Sequence, residues 1–189
     1  KSRYSISVHF NNLLKWTRAN GSFFIFSGCE GDVLEYKALE NFPYYKDCAP
    51  LVNGLGYELV ELHVTPQKGT VRIVAVIASK NPEVDIGVSD CSKVHHALLP
   101  RLEALLGTED TYMELTSPGM ERNIKNAAEF AIFKGREVRV WDKTVSDWVG
   151  GKIVCSDASS VTLETGSAEE KSQKTILFEN IAKAKFIHL

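Results

Sequence analysis

Few residues of this chain have types and spacing that could perform chemistry. Cys91 and His95 lie four positions apart in a segment with helical periodicity, so their side chains share one face of a helix. A thiol and an imidazole at that spacing could form half of a zinc site or a nucleophile–base pair. No second half-site accompanies them in the sequence. We therefore favour a structural role for both, and we predict no metal site and no cofactor.

Ser117 is the other candidate nucleophile. It is not framed by the Gly-x-Ser-x-Gly elbow of serine hydrolases, and Pro118 has no backbone N–H to offer an oxyanion. The chain also has no glycine-rich phosphate loop and no His-Glu-x-x-His motif. We predict no catalytic residue and a function that is not enzymatic.

The distribution of charge points towards a basic partner. The net charge of the 189 residues is −2, but residues 35–133 hold 9 Lys and Arg against 14 Asp and Glu. Residues 134–189 hold 9 against 8. An acidic segment is poorly suited to binding phosphates and well suited to attracting a basic protein.

No apolar run reaches the length of a membrane span, and four widely spaced cysteines favour free thiols in a reducing compartment.

The segment that organises the chain is the turn at residues 117–119. A strand with alternating side chains over 112–116 runs into Ser117-Pro118-Gly119, where proline ends strand pairing and glycine permits a positive φ. Asn126 is then a suitable N-cap for a short helix, and a second strand begins at Glu137. The sequence predicts a domain boundary at this turn, with each side folding as a separate unit.

Before the turn the pattern predicts an α-β-β-α-β domain that is KH-like. The first helix lies within 34–55, with Pro43 opening its regular part, and the second runs from Ser89 as N-cap to Leu106 with a kink or break at Pro100. Side chains of residues 57–65 are expected to alternate strictly between the two faces of a strand. The predicted strands are 57–65, 70–78 and 112–116.

After the turn the pattern is β only. Five short strands in about fifty residues match a small SH3-like or Sm-like barrel. Trp141 and Trp148 flank the first turn of this barrel, and we favour packing at its core or rim over a platform for stacking bases. The predicted strands are 137–141, 148–156, 160–164, 174–178 and 182–187.

Residues 1–33 do not share these patterns, and the predicted domains are 34–119 and 120–189. Because Glu30-Gly31-Asp32 can be encoded by a purine-rich ribosome-binding sequence, we expect 1–33 to be a non-native leader, with the start at Val33 or Leu34. A native extension without regular structure is the alternative. A peptide containing Trp16 in the native protein would contradict the leader hypothesis.

An ordered set of motifs resembles one known family. Leu115-Thr-Ser-Pro-Gly-Met-Glu-Arg122, followed by Phe133-Lys-Gly-Arg-Glu-Val138, is similar to the central signature of the ribosome maturation factor RimP family. Leu55-Gly-Tyr-Glu-Leu-Val60, Val161-Thr-Leu-Glu164 and Phe178-Glu-Asn-Ile-Ala-Lys183 match in the same order. The resemblance covers roughly residues 34–189.

This resemblance implies a monomeric assembly factor of the bacterial cytoplasm, not bound to a membrane. It would bind the immature small ribosomal subunit, both ribosomal RNA and a basic ribosomal protein, near the decoding region. The alternative is a stand-alone RNA-binding module of the Sm-like type. The residues expected at the partner-binding or interdomain site follow the strand: Ser117, Pro118, Gly119, Glu121 and Arg122. For Glu121 and Arg122, a salt bridge that fixes the domain angle and a patch offered to a partner both remain open.

Overall fold

The computed structural model describes residues 34–119, 122–166 and 171–187. The expected leader, 1–33, and Glu121 therefore lie outside the described residues. The fold is mixed α+β with two sheets, as the sequence predicted at that level. The elements are α1 (Tyr45–Gly54), β1 (Tyr57–Gln67), β2 (Thr70–Ser79), α2 (Val88–Leu106), β3 (Thr111–Thr116), α3 (Glu129–Ile132), β4 (Glu137–Asp142), β5 (Asp147–Ser156), β6 (Ser160–Gly166), β7 (Lys171–Leu177) and β8 (Ile181–Phe186).

The first sheet has the order β1-β2-β3. β1 and β2 form the predicted antiparallel hairpin, and β3 returns parallel to β2 through the α2 crossover. α1 and α2 cover one face of this sheet. We call the apolar cluster between them the helix core, and its buried members are Tyr45, Cys48, Val52, Leu59, Leu62, Ile73, Ala75, Ile77, Cys91, Val94, Leu98, Leu102, Met113 and Leu115.

The first helix begins later than the sequence suggested. Tyr44 has a left-handed φ of 63°, which an α-helix does not tolerate, so α1 starts at Tyr45 and residues 34–38 are not helical. These residues pack against the second sheet instead. The Leu34 N–H donates to the Ile181 carbonyl at 3.0 Å, and the Ala127 N–H donates to the Glu35 carbonyl at 3.0 Å.

Two expectations for the second helix are wrong. α2 starts at Val88 and not after Ser89, because the Asp90 carboxylate accepts the Gly87 N–H at 2.8 Å and closes the first turn. α2 does not break at Pro100, since it continues to Leu106, so of the expected kink or break only the kink stays a prediction. The carbonyl that loses its helical donor is that of His96, four residues earlier on the exposed side, where water can satisfy it.

The second sheet is antiparallel with the order β7-β6-β5-β4-β8. All five strands fall within a few residues of their predicted positions, but no ladder in the described part of the chain joins β7 to β8. The closed barrel is therefore not formed, and the sheet is open. β7 buries only Ile176, so most of this edge strand faces solvent and lacks the apolar side chains that would draw it against β8.

The second sheet shares its core with the first. Phe130 and Phe133 from the α3 region lie at the centre, surrounded by buried side chains of β4, β5, β6 and β8. Val60, Val76 and Ala78 reach this cluster from the face of the first sheet that the helices do not cover. We call it the shared core; its further buried members are Leu34, Ile124, Ala127, Val138, Val140, Ile153, Val161, Leu163, Ile176, Phe178, Ile181, Ala184 and Phe186.

Candidate interdomain junction

A β-bulge in β1 prepares the junction between the two sheets. Leu59 pairs with Ile77 and Glu61 pairs with Val76, so Val60 is an extra residue on β1. The expected strict alternation along β1 is therefore wrong. Because a bulge re-aims the side chains around it, Val60 enters the shared core. Glu61 faces the chain that follows the turn at residues 117–119, which we call the elbow.

Glu61 belongs to a buried ion cluster centred on Arg122. The Arg122 guanidinium donates through Nη2 to Glu61 Oε1, and its Nε donates to Glu129 Oε2 at 3.0 Å. The three side chains are 7%, 10% and 2% exposed for Arg122, Glu61 and Glu129. One guanidinium therefore ties β1 of the first sheet to the α3 region beneath the second sheet, which is the arrangement expected of a planar, multidentate arginine.

Backbone and surface groups complete the cluster. Glu129 Oε1 accepts the N–H groups of Lys125 at 3.3 Å and Asn126 at 3.2 Å. The Lys125 ammonium lies 3.2 Å from Glu61 Oε1, but its side chain is 67% exposed. Within the described ranges no buried side-chain nitrogen or oxygen lacks a hydrogen-bond partner. The cluster is thus fully satisfied, which is the condition under which buried charges are tolerated.

The pKa values of the two carboxylates are shifted in opposite directions. Burial raises the pKa of Glu129, and the single Arg122 guanidinium does not offset it. Burial alone would also raise the pKa of Glu61, but Arg122 and Lys125 together hold it below the ordinary value. Glu129 is the more deeply buried of the two and also feels the Glu61 charge, so it is the carboxylate whose charge is less favourable in the folded protein.

The elbow itself has the geometry that its sequence suggested. Gly119 has a φ of +76°, and a Cβ built there would meet no atom within 4 Å. Ser117 and Gly119 are exposed, whereas Pro118 is half-buried. Among the predicted site residues that the structure describes, Arg122 enters the ion cluster, and its partners are Glu61 and Glu129. Whether a partner contacts the elbow stays a prediction.

A cleft of about 210 Å³ opens beside the ion cluster. Its floor is formed by Glu61 and Glu129, and its rim carries Lys37, His63 and Lys125. Asn126 closes one side, because its side chain bonds to the Lys37 N–H at 2.9 Å and carbonyl at 2.7 Å. Leu39, Phe42 and Val60 also line the cleft, so its wall combines charged and apolar side chains. The cleft lies between the first half of the chain (residues 34–119) and the second half (residues 122–187).

The other candidate groups lie in the helix core or on the surface. Cys91 and His95 are both buried; burial raises the pKa of the Cys91 thiol and lowers the pKa of His95, which also bonds to the Met113 backbone. In the part of the chain that the structure describes, no three His, Cys, Asp or Glu side chains are grouped as metal ligands would be. These environments favour the packing role assigned from the sequence.

Sequence reasoning missed Glu61 and Glu129 as partners of Arg122. Glu61 was assigned to a face by simple alternation, which the bulge overturns. Glu129 stands among Ala127, Ala128, Phe130 and Ala131, and an acid within so apolar a segment is the signal that could have identified it.

Fold and junction define a two-part α+β protein whose sheets share one core and are tied by a buried ion cluster. Residues 47–121 match the family model described as the RimP N-terminal domain. The chain is 28% identical over 149 residues to the ribosome maturation factor RimP of Borrelia hermsii. The matched residues make up 79% of this chain and 97% of that protein. It is 30% identical over 148 residues to the ribosome maturation factor RimP of Borreliella burgdorferi, covering 78% and 94%. The chain belongs to the ribosome maturation factor RimP family.

No helix in the described ranges combines the length and the apolar composition that crossing a bilayer requires.

Proposed function

We propose that this ribosome maturation factor acts in the cytoplasm as a monomeric, non-enzymatic assembly factor of the small ribosomal subunit. It binds the immature subunit and a basic ribosomal protein near the decoding region. Family membership supports the ribosomal role. We choose a basic protein as the partner because the first half has an acidic surface with exposed apolar side chains.

That surface is the loop between β2 and α2. Val84 and Val88 are 50% and 56% exposed, and the exposed carboxylates of Glu83 and Asp85 accompany them. Residues 34–119 as a whole hold 7 Lys and Arg against 12 Asp and Glu. Acidic groups attract a basic partner over a distance, and the two valines give it apolar area to bury after contact.

The junction supports a function in which both halves meet one large surface. A fixed angle between them makes the second contact effectively intramolecular once the first has formed. The buried Arg122 cluster and the shared core are suited to fixing that angle, whereas a flexible linker would not. We propose Ser117, Pro118, Gly119 and Glu121 as partner-binding or interdomain residues, as the sequence suggested.

Cosedimentation with immature small subunits and with mature ribosomes tests the proposal. We expect the chain to pellet with immature subunits only. The double variant Glu83→Gln, Asp85→Asn should weaken this binding. Its matched control, Glu109→Gln with Asp110→Asn, removes the same charge beyond the other end of α2, about 28 Å away at 1.5 Å per residue, and should not.

The salt dependence of the binding rates distinguishes long-range electrostatic attraction of the partner from its short-range contacts with the surface. Raising salt from about 50 to 500 mM shortens the Debye length to a few ångströms and should slow association more than dissociation. Association that does not depend on salt would contradict the acidic docking surface. For the stand-alone RNA-binding alternative, naked ribosomal RNA would compete as well as subunits do; failure to compete would exclude it.

A further inference from the structure

The outer face of β8, β4 and β5 brings two tryptophans and four cations together. Cross-strand pairs share a face of a sheet, and Trp141 pairs with both Lys183 and Trp148. In the next row Arg139 pairs with Lys185 and with Gly150. Residues 138 and 140 of β4 are buried in the shared core, so this second set of side chains points away from it.

The composition of this face differs from that of the rest of the protein. Arg139, Lys183 and Lys185 lie in two adjacent rows, and Lys152 lies in a third row opposite Glu137. Lys152 lies between two acids, Glu137 on β4 and Glu164 on β6, so the excess of positive charge is in the first two rows, in a chain whose net charge is negative. The face is therefore a local concentration of positive charge. Trp148 in this face is 36% exposed.

The tryptophans are held rigidly. Trp141 meets Trp148 edge to face, with ring centroids 5.6 Å apart and planes at 80°. The Arg139 guanidinium carbon lies 5.0 Å from the Trp148 ring centroid, and Lys185 Nζ lies 5.9 Å from it. Both cations lie over the face of the indole ring, so a base would stack on the part of Trp148 that they leave open, with positive charge beside it.

We propose that this face binds single-stranded RNA, with a base stacked on Trp148 and phosphates contacted by Arg139, Lys183 and Lys185. Aromatic platforms beside a row of cations are how proteins hold unpaired nucleotides, because every base has a π-face and every nucleotide a phosphate. An acidic peptide would use the cations but has no need of an exposed indole. The choice of RNA over DNA rests on the proposed ribosomal function.

The face is small, which limits the ligand. Three strands about 4.8 Å apart give a width near 10 Å, enough for two or three nucleotides. It lies on the second sheet, whereas the acidic loop proposed for the protein partner belongs to the first half. RNA and protein would therefore contact different parts of the chain.

Fluorescence anisotropy of the full chain with a labelled oligouridylate of about ten nucleotides tests the proposal, since a single-strand site spans about 4–16 nucleotides. Trp148→Ala should weaken binding about tenfold or more, and Trp148→Phe should retain most of it. Lys183→Gln and Lys185→Gln should each lower the slope of log affinity against log salt by about 0.7. Lys68→Gln, which removes an exposed cation from the β1–β2 turn, is the matched control and should change neither quantity.

Several outcomes would overturn the site. They are absence of micromolar binding by the wild type, equal losses in Lys68→Gln and Lys185→Gln, an acidic peptide that displaces the RNA at lower concentration than unlabelled RNA, and equal affinity for DNA of the same sequence. Lys185→Gln keeps the test valid if Trp148→Ala fails to fold. Oligonucleotide binding without subunit cosedimentation would refute the proposed function and support this site; cosedimentation without oligonucleotide binding would do the reverse.

Discussion

The helix core and the shared core are built from different parts of the chain. Every buried residue of the helix core lies between Tyr45 and Leu115. The shared core combines residues 124–186 with Leu34, Val60, Val76 and Ala78 from the first half. The first half therefore encloses its own helix core, whereas the second half uses the back of the first sheet as part of its core. The second half therefore depends on the first for part of its core, whereas the first half depends little on the second.

The β1 bulge is where this asymmetry arises. Leu59 and Leu62 face the helix core, and Val60 between them faces the shared core. Under strict alternation without a bulge, Glu61 would lie on the same side as Leu59, in apolar surroundings without Arg122. One inserted residue thus supplies both an apolar contact and a buried ion to the junction.

The largest expected effect comes from removing Arg122. Arg122→Ala leaves Glu61 and Glu129 buried without their shared cation, and breaking a buried pair in this way costs about 3–5 kcal/mol. Urea unfolding followed by circular dichroism measures this loss. Lys125→Ala removes a cation that is 67% exposed and should cost no more than about 1 kcal/mol.

The control for Arg122→Ala is a variant that removes the charges together. Arg122→Met combined with Glu61→Gln and Glu129→Gln leaves no unpaired buried charge and should recover much of the loss. If Arg122→Ala is no less stable than Lys125→Ala, the cluster does not tie the halves together, and the junction must rest on apolar contacts alone.

The neighbours Leu59 and Val60 give the next largest effects and test the asymmetry directly. Leu59→Ala should cost about 2–5 kcal/mol and Val60→Ala about 1–3 kcal/mol, since both side chains are at most 1% exposed. Amide hydrogen exchange locates each loss. Leu59→Ala should lower protection in both sheets, and Val60→Ala in the second sheet more than in the first. Equal loss of protection in both sheets for both variants would show that the chain is one cooperative unit.

Local patterns in the sequence predicted the elements well. Strand positions from alternation, the β1–β2 hairpin, the cap at Gly107 and the positive φ at Gly119 are confirmed, because each depends on nearest neighbours in the chain. The hairpin turn is shorter than the predicted 66–69, because β1 continues to Gln67. The open edge of the second sheet was missed, although the five polar residues that begin β7, Lys171 to Thr175, leave it few apolar side chains and were a signal against closure. Separate folding of the two halves stays a prediction, and the shared core makes the second half the weaker one.

The candidate site was predictable only in part. Arg122 was identified from its place after the elbow, but its partners lie 61 residues earlier and 7 residues later, and no local pattern pairs them. Contacts at such separations depend on how whole elements pack. The bulge that aims Glu61 has no signature in Val60-Glu61 itself.

A smaller effect on stability, with a larger one on binding, is expected at the elbow. Gly119→Val places a β-branched residue at φ +76° and should cost about 1–3 kcal/mol in backbone strain, because no atom lies within 4 Å of the new Cβ. Gly69→Val is the matched control: its φ is +83°, its Cβ is equally unobstructed, and it lies in the β1–β2 turn. Melting temperatures should fall similarly in both.

Subunit cosedimentation of the same two preparations distinguishes the elbow from an ordinary turn. Gly119→Val should bind immature subunits more weakly for each folded molecule, because strain at the junction alters the angle at which the two halves meet one surface. Gly69→Val should bind as the wild type does. Undiminished binding by Gly119→Val would show that the elbow only ends a strand.

The smallest expected effect is the pH dependence contributed by Glu129. Its folded pKa is raised above its ordinary value of about 4.5, so the folded state holds the proton over a range where the unfolded chain has released it. Stability from this group is then fully present below about pH 4.5 and is lost as pH rises through the raised pKa, by about 1.4 kcal/mol for each unit of the shift. Glu129→Gln removes this dependence. The free energy of unfolding of the wild type minus that of Glu129→Gln should therefore fall as pH rises.

Glu61→Gln is the matched control with the opposite sign: Arg122 and Lys125 lower the pKa of Glu61, so the corresponding difference should rise with pH and be lost in acid. Urea titrations of the three proteins between about pH 2 and 8 measure both differences, since the Glu61 difference changes mainly below its ordinary pKa of about 4.5. Parallel pH profiles for the two variants would show that the carboxylates share Arg122 equally, and that Lys125 has no part in setting their charge.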